Sequence, residues 1–436
     1  MINVLVIISL LITAALAVNI ARRGNVFSAA FGALLSILFF LGGPLLWVAI
    51  AGELPLSFDF SYSGLSGVTD DDGDFLLYLV TALVFSSVIL AKSRFSSRSY
   101  DYSYYLDSPA NALALRFSSA IYVCSTLCIY IYSMNSESAH WYHSREEFME
   151  TTGVLGVLIT YLTTGSRLIT VVGLSILVAK NGLSSRVMFV IGAFSTYDLI
   201  ITGNRIGILL LMLGILCVLI HRKNYKTVIA AATIAPFLAV SLSAFAYIRP
   251  YLRSTEAATS IVEMSGDNIS QSVDGVGSLA KGAMESVNLS TLRSLYYESA
   301  EIEPQFGLTY LRPLFIFVPR SMWSEKPESP TVQAGEAYAS GRTSLVVTYI
   351  GEGMINFGKS GFLIGLPIII ISIFALGRLF SGWAGRGLIQ TMLAFLSMRM
   401  AFSDVVIWAL FAAAIWLSAK YFCKFSGANA SYRDLN

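Results

Sequence analysis

Charge is what this chain has least of. Only 13% of its 436 residues are Asp, Glu, Lys or Arg, about half the ~25% usual in soluble domains. With 55% hydrophobic residues and a mean hydropathy of +0.68, this describes a polytopic membrane protein rather than a soluble one. Neither sign of charge dominates: 29 Lys and Arg stand against 27 Asp and Glu, leaving +2, which implies no nucleic-acid partner. Cysteine is scarce too. Cys124 and Cys128 lie in one apolar run, Cys217 in another and Cys423 near the last. Neither a disulfide framework nor a zinc site is indicated. Cys124 and Cys128 share a helix face and read as small thiols tolerated in a bilayer. Phosphate-binding loops, a dinucleotide fingerprint and a Ser/His/Asp constellation are also missing. ATP-driven chemistry is therefore disfavoured.

What the chain has in quantity is apolar runs of spanning length, ~20 residues. They are Ile2–Ala21, Val26–Ile50, Phe75–Ala91, Ala112–Met134, Gly153–Ala179, Val187–Thr202, Ile206–Ile220, Val228–Ile248, Phe362–Phe380, Leu388–Phe402 and Val405–Phe422. The first lacks a basic leader and is followed by Arg22-Arg23, so an uncleaved helix is expected. Basic residues recur on alternate connections: Lys92, Arg94 and Arg98, then Lys180 and Arg186, then His221-Arg222-Lys223 and Lys226, then Arg378 and Arg386, then Lys420 and Lys424. The positive-inside rule puts these in the cytoplasm, with the N-terminus outside and the C-terminus inside. The expectation is an all-α polytopic membrane protein of about eleven transmembrane helices. Residues 1–248 form an N-terminal set and 361–436 a C-terminal set with a short tail, with one large extracytoplasmic loop, 249–360, between them. Within that loop Glu256–Glu301 carries Ile261, Val273, Val276, Leu279, Val287, Leu292 and Leu295 at a spacing suited to short amphipathic helices over the membrane. Leu345–Phe357, short and Gly-rich, suits a re-entrant or interfacial helix.

The late loop carries the chemistry. It reads TYLRPLFIFVPRSMWSEKPESP and, soon after, GRTSLVVTYIGEGMINFGKSG, ending at Gly361. Pro319 and Pro327 exclude a continuous helix. Trp323 suits the headgroup belt or the face of a sugar. Arg249, Arg253, Arg312, Arg320, Arg342, Arg205 and Arg399 gather at the expected outer face, where arginine should be rare. Any one of them could snorkel or pair with a local acid, and Arg253 reads that way. As a set, they suit the oxygens of a pyrophosphate, which guanidinium binds in bidentate fashion. Arg167, inside its helix in TTGSR, marks a cavity or a bound group. Lys326 adds a further cation beside the loop prolines. Tyr349, Glu352 and Asn356 fall on one helical face. Gly351, Gly353, Gly358 and Gly361 permit close approach of a ligand or a neighbouring helix. Glu352 becomes a general base if burial tunes its pKa, or else pairs with a nearby arginine. Asp70-Asp71-Asp72-Gly73-Asp74 looks like a metal loop but also suits the N-terminus of the helix that follows. His140 and His143, with Glu146 and Glu147, read as solvated loop residues.

At GLTYLRPLFIFVPRSMWSEKP and GEGMINFGKSG, and more softly at TGNRIGILLL, the chain resembles the Wzy-type O-antigen polymerases, which join oligosaccharide repeat units. Ser324 stands where the family usually has Pro after the Trp. The resemblance implies a GT-C-like membrane glycosyltransferase of the bacterial inner membrane with its active site facing the periplasm. Its partners would be undecaprenyl-pyrophosphate-linked oligosaccharides, the lipid bilayer and a chain-length regulator. It would need neither a metal nor a cofactor. The growing glycan would move from its lipid pyrophosphate to the non-reducing end of a new lipid-linked unit. On this reading Arg320, Arg342, Arg205 and Glu352 are catalytic. Arg312, Arg249, Arg399, Lys326, Trp323, Tyr349 and Asn356 bind substrate. The alternatives are an O-antigen ligase with a lipid A core acceptor and a lipid-linked oligosaccharide flippase.

Overall fold

The computed structural model describes residues 2–54, 65–93, 109–134, 148–149, 151–202, 205–224, 286–298, 302–316, 318, 322–323, 326–338 and 345–425. Helix dominates them because a backbone in hydrocarbon must satisfy its own hydrogen bonds. Eight helices are long and apolar enough to cross a membrane. They are α1 (Ile2–Arg22), α2 (Ala29–Ala51), α3 (Gly73–Lys92), α4 (Pro109–Met134), α5 (Val154–Asn181), α6 (Ser185–Thr202), α12 (Phe362–Leu379) and α14 (Phe402–Phe425). Two expected spans are also helical but shorter, α7 (Ile206–His221) with 16 residues and α13 (Arg386–Arg399) with 14. Between them in the chain come four short helices, α8 (Ser286–Tyr297), α9 (Leu308–Phe315), α10 (Pro330–Tyr338) and α11 (Tyr349–Phe357). The expected span Val228–Ile248 lies outside the described residues. The chain is thus a helical, polytopic membrane protein. One departure from all-helix is small: β1 (Glu53–Leu54) pairs antiparallel with β2 (Val68–Thr69), Glu53 opposite Thr69.

The chain divides into two compact units, each assembled from separated stretches. The first comprises residues 1–100, 275–375 and 390–406. In it α1 buries Val6, Leu10, Thr13, Ala17 and Ile20, a stripe of helical period. α1 packs on α3, where Thr13 and Ser87 share a hydrogen bond of 3.0 Å. Ser28 caps α2 by accepting from the Phe31 N–H. Pro44 cannot continue a regular ladder, lacking an N–H and crowding the carbonyl one turn back. The helix answers with a π-helical turn over Ile37–Gly42. Gly32 lies against the Thr391 carbonyl, where a Cβ would collide. The late loop does not fold alone. α8 buries Leu289, Leu292 and Leu295 and packs beside α11 and α10. Leu292 and Leu295 belong to the expected amphipathic pattern.

The second unit comprises residues 101–274, 376–389 and 407–436. α5 is its most enclosed span and packs on α4 and α7. Gly165 lets α5 approach Phe411, and Gly173 lets it approach Leu115. Arg167 is deep inside this unit, 6% exposed at its side chain, with Nε 3.3 Å from Oδ1 of the fully buried Asp198. The Tyr122 hydroxyl donates to the same oxygen, as does Thr202 at 3.2 Å. Gly207 is required because the Asp198 carboxylate occupies the space a Cβ would take. Arg167 therefore answers a carboxylate of its own chain, one that the sequence reading did not single out. Removing a single member of a buried pair strands the other charge, at ~3–5 kcal/mol. Arg167→Met or Asp198→Leu alone should lower unfolding stability in detergent by about that much, and the double variant by far less. An equal loss in all three would assign the cost to packing instead.

Candidate functional site

The site is built where two distant segments of the first unit meet. After extended residues at Leu345–Thr348, α11 runs for 9 residues and ends at Gly358, whose φ of 72° stops the helix. Every residue from Tyr349 to Asn356 is buried. The short helix expected at Leu345–Phe357 is therefore present, but it is enclosed by protein. Its glycines serve backbone contact: Gly361 lies directly against the Gly353 carbonyl, leaving no space for a Cβ. Leu292 and Leu295 come within van der Waals reach of Gly351.

Against α11 lies the chain entering α9. Gln305 N–H donates to the Ile355 carbonyl at 3.0 Å, Phe306 N–H to the Asn356 carbonyl at 3.2 Å, and Gly307 N–H to Asn356 Oδ1 at 2.9 Å. The Asn356 amide also donates to Thr309 Oγ1 at 2.7 Å and to the Glu352 carbonyl at 2.8 Å. Thr309 in turn donates its hydroxyl proton to Glu352 Oε1 at 2.9 Å. Glu352 Oε2 accepts from the Phe402 N–H at 2.6 Å. Phe402 opens α14, so this carboxylate meets the positive end of a helix. Tyr310 stacks on Phe357, with rings 6.3 Å apart and 12° from parallel.

Burial is the largest influence on Glu352 and raises its pKa from an ordinary 4.5 to about 7. The Phe402 N–H and Thr309 hydrogen bonds oppose that shift, and the Asp404 carboxylate adds to it. The arginine pairing expected as one alternative is absent among the described residues. Arg312 instead donates to Asp404 Oδ1 at 2.6 Å and to Ser403 Oγ at 3.3 Å.

The other expected site residues are spread out. Lys326 Nζ donates to the carbonyls of Ile316, at 2.8 Å, and Val318, at 3.0 Å, just past the C-terminal end of α9. Trp323 meets Phe315 edge-to-face at 5.1 Å. The Arg399 guanidinium sits 4.9 Å from the ring of Phe40, in the π-helical turn of α2. Tyr349 is enclosed and donates to Ser86 at 2.9 Å, so its ring packs against protein rather than offering a stacking face for a sugar. Although it shares a helical face with Glu352 and Asn356, it reaches a different partner. Arg205 belongs to the second unit and stands at the start of α7. Arg320, Arg342 and Arg249 lie outside the described residues, as do Arg253, His140, His143, Glu146 and Glu147.

The acidic run before α3 is used structurally. Asp72 takes Arg293 at 2.9 Å and accepts from the Thr69 N–H at 3.0 Å, tying β2 to α8. Among the described residues no group of three or more His, Cys, Asp or Glu is placed to hold a metal ion. Sequence reading missed Thr309, Ser403 and Asp404. Their only signal was polar residues beside a motif and at the mouth of the last apolar run. No protein-family model, curated protein or solved structure matches the chain.

A carboxyl group whose pKa is higher folded than unfolded holds its proton longer in the native state. Its contribution to stability is therefore full below about 4.5, declines as pH rises to about 7 and is constant above. Thermal unfolding across that range should show this slope. Glu352→Gln should flatten it, because an amide can still accept from Phe402 and donate to Thr309. An unchanged slope in the variant would place the titrating group elsewhere.

Proposed function

We propose that the chain is a lipid-linked oligosaccharide polymerase, transferring a growing glycan from undecaprenyl pyrophosphate to the non-reducing end of a newly delivered repeat unit. One observation carries this reading beyond the resemblance itself. The two motif halves, apart in sequence, join in one hydrogen-bonded body through Thr309–Glu352 and Gly307–Asn356, at 2.9 Å each. Motif residues with no common task would not need to meet at one buried cluster around Glu352 and Asn356.

The chemistry follows from the substrate. The hydroxyl oxygen of the acceptor sugar attacks the anomeric carbon of the donor. A new C–O bond forms, the bond to the pyrophosphate oxygen breaks, and undecaprenyl pyrophosphate leaves with the electron pair. Negative charge grows on that leaving group, so fixed guanidinium groups aimed at it give the largest acceleration. Arg320 and Arg342 take this role. The acceptor proton goes to Glu352, whose pKa near 7 suits a general base at neutral pH. Thr309 makes the hydrogen bond that a sugar hydroxyl would make, so the base works when the Thr309 side chain turns its hydroxyl away, with α9 in place. The Arg312–Asp404 pair anchors α9 to the start of α14.

With purified lipid-linked repeat units and wild-type protein in vesicles, the product should be a ladder of lengths. Arg320→Ala should reach the membrane in normal amount and lose polymerisation by ~10²–10³-fold. Normal chain length in that variant would remove Arg320 from the mechanism. In cells, loss of the protein should leave one repeat unit on the lipid A core. A bare core would identify a ligase instead.

A further inference from the structure

Among the described residues, several apolar side chains along and beside α9 stand exposed from the first unit. Phe306 is 79% exposed, Leu314 74% and Met322 79%, and Leu308 and Leu311 continue the same line along α9. The backbone is bent to produce it. Phe306 takes a left-handed φ of 47° and Gly307 one of 89°. For a phenylalanine that conformation is strained, and it persists because the Gln305, Phe306 and Gly307 N–H groups are all bonded to the end of α11. The structure holds an aromatic ring outward at a conformational cost.

What the ridge meets follows from its level in the molecule. Tyr310, on the buried side of α9, has its hydroxyl against Gly365 in the first turns of α12 and its ring 6.0 Å from Phe402 at the start of α14. α9 is therefore level with the ends at which two membrane spans begin. That level carries interface markers of its own. Tyr78, in the second turn of α3, donates to the Lys359 carbonyl at 2.8 Å and packs on Tyr296 at 5.1 Å, and the Lys359 ammonium lies 3.7 Å over the Tyr296 ring. Tyrosine and lysine clustered at helix ends mark the headgroup zone. Leu363 and Ile364, exposed on the first turn of α12, begin the lipid-facing surface at the same height.

We infer that α9, with Phe306 and Met322 on either side of it, is a membrane-inserted wedge, its apolar edge sunk among the headgroups and upper acyl chains of the leaflet that borders this end of the protein. The partner is the lipid surface itself, continuous with the surface around α12. A segment so anchored cannot swing freely into water. The polar side of α9, with Thr309 and Arg312, stays turned to the protein while the apolar side is held by lipid.

The test uses the full chain with its four cysteines replaced, reconstituted in phosphatidylethanolamine–phosphatidylglycerol vesicles. Single cysteines at Phe306, Leu314, Met322 and, as an aqueous reference, Glu303 are spin-labelled. Collision rates with oxygen and with a water-soluble nickel chelate are then compared. Labels at the three ridge positions should meet oxygen severalfold more often than nickel, with the reverse at Glu303. If the bent backbone rejects cysteine at 306, positions 314 and 322 decide the matter alone. Nickel-dominated collisions at the ridge would overturn the inference. So would low access to both reagents, or spin–spin broadening that disappears on dilution with unlabelled protein, which would mean a second copy covers the ridge.

Discussion

The first unit depends on one buried carboxylate. Glu352 accepts from the Phe402 N–H with one oxygen and from Thr309 with the other, and so fastens α11 to both α14 and α9. An ion this deep is costly unless its oxygens are bonded, which is why the two donors must stay in register. Asn356 supplies that register, binding the Gly307 N–H and Thr309 from one turn further along the helix. The late loop is thereby folded onto membrane spans, not suspended beside them. The same constraint makes Glu352 chemically useful, because burial that raises its pKa to about 7 also poises it for proton transfer.

Charge elsewhere follows the same economy. A chain with few ionic groups uses several of them against each other: Arg312 with Asp404, Arg293 with Asp72, Arg167 with Asp198. By sequence Arg312 suits either a ligand or a local acid and Arg167 a cavity or bound group, and in the structure each has an acid of its own chain at hand. A buried pair is no great source of stability, but it punishes misplacement, so it fixes which residues face inward. The arginines proposed to hold pyrophosphate are then best sought in the segment just beyond α9, at Arg320, and before α11, at Arg342.

Most of the helical architecture was legible because apolar runs of spanning length leave few alternatives in a bilayer. The ends of α1, α3 and α6 fall within a few residues of where hydropathy put them. The π-helical turn before Pro44 and the two-residue strands were not legible, since they answer local backbone needs that periodicity does not record. Asp198, Asp404 and Thr309 were passed over for a common reason. A lone polar residue in or beside an apolar run has no signature until the fold supplies its partner. Asn356 and Tyr349 were noticed as members of a helical face, yet that face splits between Thr309 and Ser86. Spacing shows which residues point together and says nothing of what they meet.

The most direct test of the account is the pH dependence of glycan transfer in vesicles, comparing wild-type protein with Glu352→Gln. If Glu352 is the proton acceptor, wild-type kcat/KM rises through an apparent pKa near 7 and the variant is slow, with no such rise. A variant that polymerises at the wild-type rate with the same pH profile would contradict the account and leave Glu352 as a structural clip alone.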